Sequence, residues 1–208
     1  VPYGLKQKIN FKKNFGPELG DIDLKNILNI NEEEFIKKLQ PVYNSIKKVK
    51  SNNLLKNKDL IGFIGAPWTL LIYMINKKSP KNIIDKNFFD NKDLINGILK
   101  GLEKFLIIHI ENQINNGANI IQIFDSWAGL VSKKNLSKYI YEPTFDLVKF
   151  VKSKNVPVIC FPRGIKNYKE YVEIVKPDAI CIDYEVDPNK IKKEIKIPIQ
   201  GGMNPNIL

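Results

Sequence analysis

Hydrophobic and polar positions along this chain follow two rhythms. Over Asn31–Lys50 the apolar residues Phe35, Leu39, Val42 and Ile46 recur near helical spacing. Asn31 can cap that run, and Glu32 to Glu34 place negative charge in its first turn, so a helix is expected. Asp90–Asn116 carries a longer stripe, formed by Leu94, Ile98, Leu102, Phe105, Ile108 and Asn112, and Gly117 ends it. Between the two, Asp59–Ala66 (DLIGFIGA) reads as a buried strand, and Pro67–Ile75 as a helix with proline at an early position. Val1–Gly20 has weak patterning and a Gly16-Pro17 break, and is expected to be an irregular approach segment. Asn76–Lys81 (NKKSPK) is polar and reads as a mobile loop.

From Asn119 the second rhythm takes over. Short apolar runs at Asn119–Phe124, Val156–Phe161, Ala179–Ile182 and Ile197–Gln200 read as strands. Helices are expected between them at Asn135–Lys154, Asn167–Val175 and Pro188–Ile195. Continuous apolar strands alternating with helices indicate a parallel sheet covered on both faces, built from β/α units. Each strand runs into a loop rich in polar and glycine residues: Gly65-Ala66-Pro67-Trp68, Asp125-Ser126-Trp127-Ala128-Gly129, Pro162-Arg163-Gly164, Asp183-Tyr184-Glu185 and Gly201-Gly202-Met203-Asn204-Pro205. Ligands sit at the carboxyl ends of strands both in doubly wound sheets and in (β/α)8 barrels. Spacing alone leaves both architectures open.

Composition narrows the class. The chain has 208 residues and 43% hydrophobic content, enough for the core of one domain over 1–208. The longest apolar runs, such as Phe105–Ile108 and Leu70–Ile75, are too short to span a bilayer, and no secretion signal is evident. Net charge is +11, which raises nucleic-acid binding. Yet Arg163 is the only arginine, and lysines such as Lys47, Lys48, Lys50, Lys56 and Lys58 are scattered among other residues. Arginine is the usual fork for phosphate and base edges, so the lysines read as a solvated surface, with a positive field toward a polyanionic ligand as the other reading. Cys160 and Cys181 lie inside apolar runs and read as buried thiols of a cytoplasmic protein rather than a disulfide or metal pair. Both ends read as cut: the first residue is Val1, and Gly201–Leu208 stops in a loop.

The loops carry a resemblance. Ile61–Ile75 (IGFIGAPWTLLIYMI) resembles the G-F-x-G-A-P-[FW]-T-L-x-x-Y-M segment of uroporphyrinogen decarboxylases, and Ile121–Leu130 (IQIFDSWAGL) resembles their Q-x-F-[DE]-S-[WH]-A-G-x-L. Phe161–Gly164, Ile182–Val186 and Gln200–Pro205 are similar to the next three strand ends, with Gly202 and Asn204 where many members carry Asn and Asp. The resemblance covers essentially the whole chain and implies the middle of a (β/α)8 barrel, its third to seventh strands. It places the family's catalytic aspartate just upstream of Val1, so no catalytic residue is expected within the chain, and the chain alone is expected to be inactive.

The resemblance further implies conversion of uroporphyrinogen III to coproporphyrinogen III by four acetate decarboxylations, with no metal and no organic cofactor, in a homodimer. Tyr73 matches the family's substrate-binding tyrosine, and Ser126 its substrate-contacting Ser/Thr. Arg163 is a further candidate for a propionate, or else ties a loop. Asp125 and Asp183 are expected to accept hydrogen bonds from loop backbone, and Gly62 and Gly65 to permit close approach beneath the ligand. His109, the only histidine, is expected to be structural. Two other functions remain: a zinc-using corrinoid-dependent methyltransferase of the same superfamily, which needs a His-x-Cys pair missing from Cys160-Phe161-Pro162-Arg163, and a basic binding module.

Overall fold

The computed structural model describes residues 1–12, 16–79, 90–204 and 207. An antiparallel hairpin comes first: β1 (Ile9–Lys12) pairs with β2 (Gly16–Leu19), Ile9 opposite Leu19. This corrects the irregular segment expected over Val1–Gly20. A lone two-stranded ribbon is marginal in water, so its anchors are tertiary. The Gln7 carboxamide donates to the carbonyls of Gly20 and Met74, both at 2.9 Å, and the Leu19 N–H donates to the Lys77 carbonyl at 2.7 Å. Neither anchor leaves a local signature in sequence. A short helix, α1 (Leu24–Asn29), follows, with Asp23 accepting from the Asn26 N–H.

The two long helices form as their caps direct. α2 (Glu32–Lys50) starts at Asn31, whose side chain accepts from the Glu34 N–H. It buries Phe35, Leu39 and Tyr43; Val42, expected inside, is exposed, since the stripe advances by four residues at that turn. β3 (Ile61–Gly65) leads into α3 (Pro67–Asn76) and then α4 (Lys92–Asn115). α3 thus takes up Asn76 of the expected loop, while Pro80 and Lys81 lie outside the described residues. α2 and α4 meet through Phe35 and Phe105, with ring centroids 4.7 Å apart.

The remaining strands are β4 (Ile120–Asp125), β5 (Val158–Pro162), β6 (Ala179–Ile182) and β7 (Ile199–Gly201), alternating with α5 (Glu142–Ser153), α6 (Tyr168–Val175) and α7 (Pro188–Glu194). β3 to β7 form one parallel sheet whose order in space is their order in sequence. A doubly wound sheet reverses its strand order at a switch point; no reversal occurs here among the described residues. The arrangement is that of consecutive units of a (β/α)8 barrel.

Two features differ from expectation. The helix expected from Asn135 is broken: a π-turn covers Ser137–Tyr141, closed by the Glu142 N–H on the Ser137 carbonyl, and the α-helix begins only at Glu142. Pro143 has no N–H for the Tyr139 carbonyl, so the regular ladder cannot run through it. The two faces of the sheet are also unequally covered. Ile121, Ile123, Val158, Cys160, Ile180 and Ile182 are buried on the helix side, but Phe63 on the opposite, concave side is 65% exposed and Ile61 is 40% exposed. The carboxamide of Gln113 in α4 brackets Phe63 at the edge of the sheet, accepting from its N–H at 3.0 Å and donating to its carbonyl at 3.1 Å.

His109 is structural, as expected. It is buried in α4, where its Nδ1 lies 3.0 Å from the Tyr43 hydroxyl of α2. Burial lowers its pKa from 6.5 to about 3. As pH falls, the unfolded chain takes up this proton near 6.5, whereas the folded chain resists it down to about 3. Stability from this site is therefore constant above pH ~6.5 and erodes below it by up to about 1.4 kcal/mol per pH unit. In denaturant unfolding of the intact protein, the stability gap between wild type and His109→Gln should narrow by about 2 kcal/mol from pH 6.5 to pH 5. A gap independent of pH would show that His109 is not held neutral.

Candidate active site

The strands of the β3–β7 sheet run in one direction, so their carboxyl ends form a single rim. At the β3 end, α3 buries Trp68, Leu71, Ile72 and Met74 and leaves Leu70 and Tyr73 half-buried. The Tyr73 ring lies against Trp127 from the β4 end, centroids 6.3 Å apart and planes inclined by 57°. Its hydroxyl makes no hydrogen bond among the described residues. Three more bonds join the β4 loop to the first turn of α3. Trp68 Nε1 donates to the Trp127 carbonyl at 2.9 Å, the Trp127 N–H donates to Thr69 Oγ1 at 3.3 Å, and Thr69 Oγ1 donates to Asp125 Oδ1 at 2.6 Å. Ser126 sits between the two residues that Thr69 holds.

Asp125 does not face the mouth. The pleat turns it to the helix side, where it is fully buried. Burial raises its pKa from 3.8 to about 7, against the opposing pull of the Thr69 hydroxyl and backbone N–H. Its partner is thus α3 rather than the loop backbone expected for it. Asp183 does bond loop backbone, its Oδ1 accepting from the Tyr184 N–H at 2.9 Å, and its Oδ2 accepts from Arg163 Nε at 2.9 Å. Arg163 thereby ties the β5 end to the β6 end.

Ser126, Arg163, Asp183 and Trp127 line one open concavity of about 200 Å³. Tyr73 does not line it and joins the group through the Trp127 ring. A larger cavity of about 450 Å³ shares Gly129 and Gly164 but contains none of the three candidate residues. Those two glycines are where the β4 and β5 loops touch: the Gly129 N–H donates to the Arg163 carbonyl at 2.9 Å, and a Cβ on Gly129 would stand 2.6 Å from the Gly164 carbonyl oxygen. Gly62 and Gly65 do not act as expected. A Cβ on Gly62 would meet Gln113 and Ala118 on the helix side, and the space at Gly65 is filled by Leu70.

Sequence reasoning missed one group. Phe63, Phe124 and Phe161 stand edge to face across the concave side of β3, β4 and β5, with centroids 6.0 and 6.1 Å apart. The signal was a phenylalanine near the carboxyl end of three successive strands, hidden once the strands were taken as uniformly apolar. Among the described residues no three His, Cys, Asp or Glu side chains form a possible metal site. Cys160 and Cys181 are free and belong to opposite faces of the sheet.

The family model for uroporphyrinogen decarboxylase matches residues 1–208. The chain belongs to this family. It is 37% identical to a uroporphyrinogen decarboxylase of Rickettsia bellii, covering 100% of this chain and 63% of that protein. It is 36% identical to one of Wolbachia pipientis (96% of this chain, 59% of that protein) and 34% identical to one of Campylobacter jejuni (99% and 62%). The chain thus spans about three-fifths of the length of the curated relatives it matches. Among solved structures, a methyltransferase from Methanosarcina mazei superposes over 96% of this chain and 70% of its own, with a TM-score of 0.60 at 16% identity, which is a likeness of fold.

In this decarboxylase-family chain the Gly129–Gly164 junction sets the spacing of the loops that carry Ser126 and Arg163. Gly129→Ala should cost about 1–3 kcal/mol of stability through the backbone clash. Gly164→Ala, at φ +78°, should cost about 1–2 kcal/mol through left-handed strain. Thermal denaturation of the intact variants measures both, and a wild-type melting temperature for Gly129→Ala would show that the loops can part freely.

Proposed function

We propose that the protein containing this chain is a uroporphyrinogen decarboxylase, converting uroporphyrinogen III to coproporphyrinogen III by removing four acetate carboxyl groups. What carries the reading is membership of the decarboxylase family along all of residues 1–208, with Tyr73 against Trp127 and Ser126 and Trp127 lining one concavity at the strand ends. The electron pair left behind as CO2 departs needs an acceptor; a ring made cationic by protonation of a pyrrole carbon takes it up, after which the methylene gains a proton and the ring carbon loses its own. A carboxylate facing the pyrrole N–H groups would stabilise that cation. By the motif resemblance this carboxylate would lie upstream of Val1, so the chain alone is expected to give no turnover and to act as part of one incomplete barrel domain.

The residues in hand would bind and orient. The Tyr73 hydroxyl, with no hydrogen bond among the described residues, would donate to a substrate carboxylate or to the catalytic one. Ser126 would donate to a substrate side chain, and the terminal nitrogens of Arg163 would meet a propionate. The Phe63–Phe124–Phe161 row would pack against a tetrapyrrole, giving its apolar rings a dry surface. A net charge of +11 would raise the arrival rate of an octacarboxylate. The working form would be a cytoplasmic homodimer; no helix among the described residues is long and apolar enough to cross a membrane.

The test is an assay of the intact gene product with uroporphyrinogen III under reducing conditions. Coproporphyrinogen III should form, and Tyr73→Phe and Ser126→Ala should each lower kcat/KM about tenfold or more, the loss of a hydrogen bond to a charged group. No product from a well-folded wild type would refute the activity. Unchanged kcat/KM in both variants would refute the two roles.

A further inference from the structure

We propose that Thr69 and Asp125 form a hydroxyl–carboxyl latch that positions Ser126 and Tyr73 for substrate. The proposal rests on the decarboxylase reading for its substrate, though not for its geometry. One hydroxyl holds both neighbours of Ser126 in the chain: Thr69 Oγ1 donates to Asp125 Oδ1 at 2.6 Å and accepts from the Trp127 N–H at 3.3 Å. Thr69 also lies one helical turn before Tyr73 on α3, and the Tyr73 ring packs on Trp127. Fixing the Thr69 hydroxyl therefore fixes the serine between its two partners and the tyrosine beside it. Neither Thr69 nor Asp125 lines the mouth concavity, so both are positioning residues.

The latch has two settings. Asp125 is buried, its Oδ2 has no hydrogen-bond partner among the described residues, and its Oδ1 is taken by Thr69. A carboxyl with one bonded and one bare oxygen can carry its proton on the bare one. The first turn of α3 favours the anion through its positive end and the Thr69 N–H, while burial favours the acid. The titratable groups that interact with Asp125 from neighbouring elements are Cys160 on β5 and Tyr171 on α6. Burial keeps both neutral, lifting Cys160 to about 12 and Tyr171 well above its usual range, so neither neutralises Asp125. Balance between these effects puts the carboxyl near pH 7. As the anion it commands the Thr69 hydrogen, leaving the hydroxyl's lone pairs to the Trp127 N–H, and the latch is closed. As the acid, its Oδ1 is a weaker acceptor and the hydroxyl is freer to turn away from both.

The experiment uses the intact protein. With uroporphyrinogen III as substrate, Thr69→Val, which keeps the shape and loses the hydroxyl, should lower kcat/KM at least tenfold. Thr69→Ser should restore it to within threefold. The wild-type pH profile of kcat/KM should show a step near pH 7 that disappears in Asp125→Asn. A folded Thr69→Val with kcat/KM within twofold of wild type overturns the latch, as does the same pH profile in wild type and Asp125→Asn. If wild type turns over no uroporphyrinogen, the decarboxylase reading fails and the latch is read without substrate, by carboxyl-carbon NMR of ¹³C-aspartate-labelled protein. A resonance absent from Asp125→Asn should titrate near pH 7 and move to higher pH in Thr69→Val. An Asp125 carboxyl charged throughout pH 5–9 in wild type overturns the proposal, even if Thr69→Val does not fold.

Discussion

Parallel pairing of β3 to β7 in sequence order is the constraint on which the rest depends. It sends every strand end to one rim and every return helix to one face. The pleat then divides the work along each strand. Residues turned to the helices hold the sheet together, as Ile121, Ile123, Cys160 and Ile180 do, while several turned the other way, Phe63 above all, stay open. Because the division alternates by single residues, Asp125 and Ser126 can be neighbours in sequence with opposite duties, one inside the helix layer and one at the mouth.

Polar groups inside the helix layer show how closely those duties are joined. Thr69, Asp125 and the Trp127 N–H form a short chain of hydrogen bonds between the start of α3 and the end of β4. Gln113 spends its carboxamide on the backbone of Phe63, and His109 spends a ring nitrogen on Tyr43. Each links two elements far apart in sequence, and each answers a buried polar group that would otherwise be costly.

Much of the fold was legible because its signals are local. Asn31 and Asn91 cap the two longest helices, and the apolar strand cores recur between them at regular intervals. The β1–β2 hairpin was not legible, since its anchors come from Gln7 and from the end of α3. The delayed start of α5 had a visible cause in Pro143, but the apolar stripe across it argued the other way. At the site, the sequence singled out Tyr73, Ser126 and Arg163 and could not say which would meet. The structure brings Ser126 and Arg163 into one concavity and reaches Tyr73 only through Trp127. The direction taken by Asp125 was open to deduction from strand parity, whereas its partner, fifty-six residues upstream, was not.

The contact between Gly129 and Gly164 bears on how such a barrel can diverge. Surface loops ordinarily accept insertions one at a time, because each moves independently of its neighbours. These two loops meet main chain to main chain, with no side chain between them to shorten or rotate. A residue inserted in one would lift it off the other and open the rim between β4 and β5. Changes in their lengths would have to arrive in pairs, so this stretch of the rim should keep its outline while loops elsewhere in the fold drift.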